Sequence, residues 1–581
     1  MKNLFIIFSF LLSHSICSQV PVFEWTKRMG GTEMEMGITM VTDTLNNVYI
    51  GGVFSGTVDF DPGPGVFNMT YANPSSVGGD DIFITKLDST GNFIWAKRIG
   101  GISNEQIAGM TIDPAGNIYA TGLFFDDTVD FDPGPGVYNM GTVPECQNMF
   151  ILKLDSSGNF LWAKNFITNG TTYSNAIASD AFGNIYTTGE FFGSVDFDPG
   201  SGTFYLSATT NIFEIFLLKL DSSGNFGWAR RLKASSPFTE NSGNGIAADA
   251  AGNVCITGFF QETVDFDPGA GTYNLTSAPS SYAIFVAKYN ATGNIMWARN
   301  MGGNSTNDMG RSITTDTANN IYTTGSFYGN CDFDPGGGTY MLNAPGTLDV
   351  FISKLDASGN FVWAKSIYGT GGQDRGSAIA LDKLGNVYTA GGFIYSTDFD
   401  PGSGTIELVS STGDAFVSKL DSYGNYLWAG CATSTIGSSP SLAISIALDR
   451  SGSIYSTGFF YDTDFNPSSD TFHLSSNGYG DVFVMKLNQQ GLPTPVTNYT
   501  GNADDIQIFP NPFLSETVIR YPNSGQPITM IISDLTGREM QVISLNKSPY
   551  LFEKETLQPG IYILKFTNAD KLSISKRIVV Q

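Results

Sequence analysis

Pairs of aspartates two residues apart are the residues of this sequence best suited to chemistry. They recur in six copies of the run Asp-Phe-Asp-Pro-Gly. In an extended backbone both carboxylates of a pair would point the same way. Together with backbone carbonyls they would supply the oxygen ligands that Ca²⁺ prefers, and Ca²⁺ is the only cofactor that the sequence suggests. The twelve candidate calcium ligands are Asp59, Asp61, Asp130, Asp132, Asp196, Asp198, Asp265, Asp267, Asp332, Asp334, Asp398 and Asp400.

The same run also has a purely structural interpretation. An aspartate before Pro-Gly commonly accepts hydrogen bonds from the backbone of its own turn. A seventh, altered copy begins at Asp464 and replaces the second carboxylate with the amide of Asn466. Either role tolerates that replacement, so the sequence leaves turn formation and calcium binding both open.

Histidine and cysteine are too scarce for the commonest catalytic sites. The chain contains two histidines, one of them close to the N-terminus, and the other is His473 in an alternating Phe-His-Leu run. Such a run is typical of a strand surface. Ser-His-Asp and Cys-His catalysis and histidine-rich metal sites therefore lack their usual residues. Apart from Cys17 near the N-terminus, the chain has four cysteines, which have no metal-like spacing and are expected to be isolated packing residues: Cys146, Cys255, Cys331 and Cys431.

Acidic pairs could in principle hydrolyse glycosidic bonds, since glycosidases use two carboxylates at a suitable separation. Here the pairs recur along the chain, whereas an active site normally depends on residues that one repeat has and the others lack. No single carboxylate of that kind stands out. We therefore expect a protein that is not an enzyme, with a carboxylate-based glycosidase as the alternative.

The N-terminus indicates an exported protein, and the net charge argues against nucleic acids and anionic membranes as partners. With 54 acidic and 30 basic residues the net charge is −24, which would repel nucleic acids and anionic membranes. Lys2, an apolar run over residues 4–12 and the small or polar residues that follow are typical of a signal peptide, residues 1–18. No later segment is long and apolar enough to span a membrane. We expect a soluble monomer.

Tryptophan reveals the internal repeat. All seven tryptophans lie 65 to 70 residues apart, from Trp25 to Trp428. Each repeat contains four alternating runs separated by turn residues, including Gly-Asn pairs, which predicts a four-stranded antiparallel meander with strands a to d. We therefore predict an all-β protein whose residues 19–488 form a seven-bladed β-propeller, since radially arranged sheets bury both faces against their neighbours.

The two ends of the repeat region predict how the ring closes. The chain begins with a lone strand d around Trp25, while the last repeat ends without one. Pairing these would remove an exposed sheet edge. We expect Trp25 in the blade that contains Phe459 and Phe483. The extra residues between strands b and c predict an additional hairpin that turns at Asp-Pro-Gly. Units of this kind resemble the SBBP-type β-propeller repeats of bacterial secreted proteins over residues 22–488, which implies a fold but no specific function.

The C-terminal part forms a separate module. A Gly/Pro/Thr/Asn-rich linker is predicted for residues 489–505, and alternating strands predict a small Ig-like β-sandwich over residues 506–581. This module resembles the type A C-terminal sorting domain of the type IX secretion system of Bacteroidetes, although Phe509 stands where that family more often has Tyr. The resemblance implies contact with the secretion machinery, passage across the outer membrane, and then release or attachment to the cell surface. The residues that carry it are Phe509-Pro-Asn-Pro512, Asp534-Leu-Thr-Gly537, Pro559-Gly-Ile-Tyr-Ile-Leu564 and Lys576-Arg-Ile-Val-Val-Gln581.

The loops between the strands point to a binding role. In each repeat the b–c and d–a connections would share one face, and their lengths and sequences vary on an otherwise repeated frame. We expect a secreted or surface-attached, non-enzymatic module that binds or adheres to a glycan or a protein through this face. The alternatives are a structural spacer and an enzyme that acts on extracellular polysaccharide.

Overall fold

The computed structural model describes most of residues 21–489 and eight segments of the C-terminal part. The eight segments are 507–509, 516–520, 528–534, 539–545, 550–553, 557–558, 560–567 and 573–580. Within residues 21–489 the exceptions are 73–78, 126–127, 144–145, 210–211, 238, 306, 436–438 and 469. The predicted signal peptide and residues 490–505 of the predicted linker lie outside the described residues.

Every helix or strand in the described residues is a β-strand, and the long strands of residues 21–489 pair in seven antiparallel sets of four, which we call sheets. Short pairings between neighbouring sets join some of them into larger sheets. The four long strands of each sheet are called a, b, c and d, in the order in which they lie side by side. A short hairpin connects strand b to strand c. The first sheet comprises β2 (Glu35–Thr42), β3 (Val48–Phe54), the hairpin β4 (Thr57–Asp59) and β5 (Asn68–Thr70), β6 (Asp81–Leu87) and β7 (Phe93–Ile99). The second comprises β8 (Gln106–Ile112), β9 (Ile118–Phe124), β10 (Val129–Asp130), β11 (Asn139–Met140), β12 (Asn148–Leu154) and β13 (Phe160–Asn165).

The next two sheets repeat this layout. The third comprises β14 (Thr171–Ser179), β15 (Ile185–Phe192), β16 (Ser194–Asp196), β17 (Tyr205–Ser207), β18 (Glu214–Leu220) and β19 (Phe226–Ala234). The fourth comprises β20 (Ser242–Ala248), β21 (Val254–Gln261), β22 (Thr263–Asp265), β23 (Asn274–Thr276), β24 (Tyr282–Tyr289) and β25 (Ile295–Met301).

In the fifth and sixth sheets the ends of strands b and c themselves form the hairpin. The fifth sheet comprises β26 (Met309–Thr315), β27 (Ile321–Asp332), β28 (Met341–Leu355) and β29 (Phe361–Gly369). The sixth comprises β30 (Arg375–Leu381), β31 (Val387–Asp398), β32 (Glu407–Leu420) and β33 (Tyr426–Ser434). The seventh comprises β34 (Leu442–Leu448), β35 (Ile454–Phe460), β36 (Asp462–Asp464), β37 (His473–Ser475), β38 (Asp481–Gln489) and, as its strand d, β1 (Pro21–Met29).

The N-terminal strand completes the last sheet. β1 pairs antiparallel with β38, with Trp25 opposite Lys486 and Arg28 opposite Phe483. Trp25 therefore lies where the sequence predicts it, in the sheet that contains Phe459 and Phe483. Gln489, expected at the start of the linker, is the last residue of β38 instead.

Neighbouring sheets contact each other through their first strands. These contacts run from β2 to β8, β14, β20, β26, β30 and β34 in turn, and β34 contacts β2. Three tryptophans add hydrogen bonds between sheets: Trp228 donates to the Ala291 carbonyl of the next sheet at 3.1 Å, Trp297 to Ala357 at 3.2 Å and Trp363 to Ser422 at 3.2 Å. The architecture is all-β and propeller-like.

The C-terminal unit begins after Gln490, where the chain divides into two compact units. Its two antiparallel sheets share one hydrophobic core, to which Ile519 and Phe552 contribute from one sheet and Met530 and Leu564 from the other. One sheet comprises β39 (Gln507–Phe509), β40 (Glu516–Arg520) and β43 (Tyr550–Glu553), and the other comprises β41 (Ile528–Asp534), β42 (Glu539–Leu545), β44 (Gly560–Thr567) and β45 (Ser573–Val580). Residues 510–512, 535–537, 559 and 581 of the sorting motifs lie outside the described residues.

Candidate functional site

The first aspartate of each Asp-Phe-Asp run organises its own loop. In the first sheet, Asp59 Oδ1 accepts the backbone N–H of Asp61 at 3.1 Å and that of Phe67 at 2.8 Å. The same two bonds occur in the other six sheets, including the altered copy at Asp464. The backbone of Asp59 also bridges to Gly30, which follows the last strand of the preceding sheet. These aspartates therefore hold both the hairpin and the contact between sheets.

The second aspartate closes the Pro-Gly turn. Asp61 Oδ1 accepts the N–H of Gly63 at 2.8 Å, and Asn466 does the same for Ser468 at 3.0 Å in the altered copy. Asp61 Oδ2 faces Gly65, where an added Cβ would lie 2.1 Å from that oxygen. This close approach explains the recurring Asp-Pro-Gly-x-Gly pattern.

Turn formation thus accounts for one oxygen of each of the twelve candidate calcium ligands. The phenylalanine between each pair is fully buried, as Phe60 is, and its ring lies 4.8 Å from that of Phe83 on strand c. Within the described residues no three His, Cys, Asp or Glu side chains are grouped in a way that could hold a metal ion. Calcium binding by the aspartate pairs stays a prediction.

The surroundings of His473 and of the described cysteines do not favour catalysis by these side chains. The exposed His473 imidazole lies 3.2 Å from Thr435 Oγ1 and 3.3 Å from Asp462 Oδ1 on the outer hairpin. All four described cysteines are free thiols, and burial raises the pKa of Cys255 to about 12 and that of Cys431 to about 11. A thiolate nucleophile at neutral pH would need the opposite shift.

A β-bulge near the start of strand a in every sheet places one extra residue between two residues that pair with strand b. In the first sheet the extra residue lies between Gly37, which pairs with Gly52 of strand b, and Thr39, which pairs with Gly51. A Cβ on Gly52 would lie 2.0 Å from the Met36 carbonyl oxygen, which explains the recurring glycine of strand b. Bulges commonly re-aim side chains at functional sites. The seven bulged residues are Ile38, Ala108, Asn175, Asn244, Arg311, Ser377 and Ile444.

Four consecutive bulges carry the polar side chains of Asn175, Asn244, Arg311 and Ser377, and the first two belong to one hydrogen-bond network through Ser242. Asn175 Nδ2 donates to Glu190 Oε2 at 2.7 Å, and the Ser242 hydroxyl also donates to that oxygen. Asn244 Nδ2 donates to the Gly310 carbonyl at 2.9 Å, next to Arg311. Burial raises the pKa of Glu190 to about 7 against these hydrogen bonds. Glu190 is a carboxylate of a single repeat, since the same position of strand b elsewhere holds Val53, Leu123, Phe259, Ser326, Gly392 and Phe459.

Beyond this network lies a cavity of about 230 Å³ at the start of β26, β30 and β34. We call it the arginine pocket. Arg311 comes from the bulge of the fifth sheet and Arg375 from the start of the sixth. Ser326 and Phe459 come from strands b of the fifth and seventh sheets, Asp414 comes from strand c of the sixth, and Ser441 directly precedes β34. Among its lining residues, Arg311, Arg375 and Ser326 stand at positions where the other sheets carry different residues.

Neither arginine is neutralised by the protein. No ion pair joins Arg311 or Arg375 to a carboxylate in the part of the chain that the structure describes. Arg311 Nε is buried and has no hydrogen-bond partner there. Burial, together with the nearby charge of Arg375, lowers the pKa of Arg311 to about 10, so Arg311 stays protonated at neutral pH.

Other sheets pair their buried charges. Asp81 at the start of strand c lies 2.8 Å from Arg98 of strand d, and Glu214 lies 3.2 Å from Arg231. In the fifth sheet the arginine is replaced by Ser366, and burial, with the charge of Asp374, raises the pKa of Asp349 to about 7. Asp349 of the fifth sheet therefore lacks the arginine partner that Asp81 and Glu214 have.

Sequence analysis did not single out Arg311, Arg375 or Glu190. A signal for all three exists in the repeats. When strands a of the seven sheets are aligned on the residue before the bulge, Arg311 and Arg375 are each the only charged residue at their position, and Glu190 is the only carboxylate at its position of strand b. Only the neighbouring positions of their sheets show that the two arginines meet in one pocket.

Comparison with known proteins agrees with both resemblances. Residues 507–581 match the family model of the secretion system C-terminal sorting domain. Residues 94–123 and 297–329 match the β-propeller repeat. These matches confirm that the chain resembles Bacteroidetes secreted repeat proteins, and the type IX sorting domain indicates a secreted, surface-attached protein that contacts the type IX machinery. In the described residues no helix has the length and hydropathy needed to cross a membrane.

Individual relatives are distant. An uncharacterized WD repeat-containing protein of Acanthamoeba polyphaga mimivirus is 26% identical over 522 residues, which cover 76% of this chain and 36% of the relative. The chain thus spans about a third of that relative's length. Among solved structures, Sqt1 from Chaetomium thermophilum shares 9% identity over 81% of this chain and 100% of its own, with a TM-score of 0.38. A protein of unknown function from Bacteroides caccae shares 9% identity over 57% of this chain and 87% of its own, with a TM-score of 0.27.

Proposed function

We propose that the protein is a secreted or surface-attached, closed seven-bladed β-propeller that binds an extracellular glycan without converting it. In this proposal the C-terminal unit is an Ig-like β-sandwich that serves export, and the propeller meets its ligand at the edge where the b–c and d–a connections lie. A protein ligand is the alternative kind of partner.

The arginine pocket carries the proposal. It is a concave site of about 230 Å³ that combines the apolar ring of Phe459 with hydroxyl groups and two cations. Binding sites of small ligands are concave and combine apolar walls with a few placed polar groups. Arg311, Arg375 and Ser326 each stand at a position where no other sheet has the same residue, as a single site on a repeated frame requires.

The same pocket argues for binding over hydrolysis. Glycosidases place two carboxyl groups on either side of the scissile bond. Asp414 is the one carboxyl group among the described residues that line the pocket, and Glu190 belongs to the network of the third sheet. A site with two cations and a single carboxyl group suits recognition of a ligand.

A glycan array probed with the exported protein tests this function, with reducing-sugar release measured on the same glycans. We expect binding to a defined set of glycans without product formation. Release of reducing sugar would instead support the polysaccharide-acting enzyme. A blank array together with capture of a surface protein would replace the glycan with a protein ligand, and a blank result for both would favour a structural spacer.

A further inference from the structure

We propose that the arginine pocket binds the carboxylate or sulfate group of an acidic saccharide. This inference rests on the proposed glycan-binding function and specifies the chemical class of its ligand.

The state of Arg311 is the first argument. Burying a charged group without a partner costs far more than burying an ion pair. Arg311 lies mostly out of solvent, and its one polar contact among the described residues is a 3.9 Å approach of Nη2 to Met309 Sδ. Arg311 lies on a bulge where the six other sheets have uncharged residues. Its charge therefore serves the binding of a ligand instead of the stability of the fold.

Arg375 supplies the second argument, because it brings a like charge to the same cavity. Its charge contributes to the lowered pKa of Arg311, so the two guanidinium groups repel each other across the pocket. An anion between them would relieve this repulsion and the cost of burial together. Guanidinium groups bind carboxylate and sulfate oxygens with paired N–H donors, which favours these anions over a neutral sugar alone.

The remaining lining residues fit a saccharide. Phe459 and Leu442 form an apolar wall against which the face of a sugar ring can pack, and the Ser326 and Ser441 hydroxyls can bond sugar hydroxyls. The cavity, of about 230 Å³, has room for one sugar ring with its charged substituent.

The acids near the pocket do not cancel its positive charge. Asp414 accepts the N–H of Ser434 at 2.8 Å, and burial raises its pKa. Asp374, which precedes Arg375, accepts the N–H of Ile394 and the hydroxyl of Thr397, both at 2.9 Å, and burial raises its pKa to about 7. Both carboxyl groups thus bond to the protein itself instead of to the arginines.

The test is a calorimetric titration of the exported protein with three probes. Trigalacturonate carries carboxylates, its methyl ester has the same rings without charge, and a sulfated galactose trisaccharide carries sulfates. We expect one acidic probe to bind and the ester to bind at least about tenfold more weakly. Arg375→Gln and Arg311→Gln should each weaken the acidic probe by about tenfold or more, and Arg375→Lys by less.

Arg450→Gln is the matched control, because this exposed arginine lies on an a–b turn and uses only its backbone in hydrogen bonds. It should leave binding unchanged. The pocket variants should melt no lower than the parent protein, since each removes a buried charge without a partner. Equal binding of trigalacturonate and ester, unaffected by Arg375→Gln, would overturn the anionic ligand and leave glycan binding standing. Tighter binding of a poly-glutamate peptide that depends on both arginines would overturn the saccharide.

Discussion

The Lys486 ammonium group donates a 2.9 Å hydrogen bond to the backbone carbonyl of Ser89 and so joins the last sheet to the first. Lysines at the same position of strand c make the same contact between sequential sheets, as Lys153 does with Ser222 at 2.8 Å. The last and first sheets are therefore joined by a contact that also joins sequential sheets. Lys486 also donates to Glu24 Oε1 of β1 at 3.0 Å, which ties the N-terminal strand into the last sheet.

Replacement of Trp25 tests that role. Trp25 stacks edge-on against Tyr455 with ring centroids 6.0 Å apart, and Trp162 does the same with Tyr119 at 5.9 Å. We expect Trp25→Ala to lower the free energy of unfolding by about 3 kcal/mol, as much as the control Trp162→Ala. Thermal unfolding followed by circular dichroism compares the two. A Trp25→Ala protein that melts like the parent would contradict closure by β1.

The Asp-Pro-Gly loop of the fifth sheet offers a test of its close packing. A Cβ on Gly338 would lie 2.2 Å from Asp334 Oδ2, whereas a Cβ on Gly337 would meet nothing within 4 Å. Gly338→Ala should therefore lower the melting temperature, with a loss of about 1 to 2 kcal/mol as the aspartate gives up its hydrogen bond. Gly337→Ala should leave the melting temperature unchanged. Equal melting temperatures for the two variants would refute this account of the motif.

Calcium dependence separates the two interpretations of the aspartate pairs. The hydrogen bonds of the loops are satisfied by the protein, so we expect the same melting temperature in millimolar Ca²⁺ and in chelator. Bound calcium would instead raise it, by about 2.7 kcal/mol at a concentration a hundredfold above Kd. Asp334→Asn sharpens the comparison, because Asn466 already serves this turn in the seventh sheet. A calcium-induced rise that Asp334→Asn reduces would establish the metal site.

Stability should fall as the pH rises from about 5.5 to about 8.5. Burial raises the pKa of Glu35 to about 8 and, with lesser help from Asp374, that of Asp349 to about 7. In this range the folded protein keeps protons that the unfolded chain has released, so unfolding releases protons and higher pH favours the unfolded state. We expect a lower melting temperature at about pH 8.5, and a smaller drop in Glu35→Gln. In Asp155→Asn, which alters an exposed turn, the drop should match that of the parent. A melting temperature that rises across this range would contradict the raised pKa values.

Removal of residues 507–581 tests the export role of the C-terminal unit. Because this segment matches the sorting domain, the truncated protein should stay inside the outer membrane, while the full chain reaches the cell surface or medium. Immunoblots of cell fractions measure this. Equal amounts of both proteins outside the cell would show that export proceeds without the domain.

Local chemistry explains why much of the fold could be predicted from the sequence. The Asp59 turn, the glycine beside it and the spacing of the tryptophans depend on residues that are close along the chain. Strand closure by Trp25 was also predictable, since the two ends of the repeat region complement each other. The end of the last strand could not be predicted, because Gln489 pairs with Pro21 of β1 and its side chain bonds to Lys419 and Tyr388, all far away in sequence.

The arginine pocket could not be predicted in the same way. Arg311 and Arg375 belong to different sheets and meet only because those sheets are neighbours. Asp349 of the fifth sheet likewise lacks an arginine partner because Ser366 stands where the first sheet has Arg98. Such relationships become visible only when neighbouring repeats are compared in space.

Hydrogen exchange of the exported protein, with and without the glycan that binds it best, tests the central claim most directly. A ligand in the arginine pocket should slow exchange in β26 and β30, whose first residues carry the two arginines, and should leave the outer hairpin β4–β5 unchanged. Protection confined to the outer hairpins or the Asp-Pro-Gly loops, with none at β26 or β30, would contradict it.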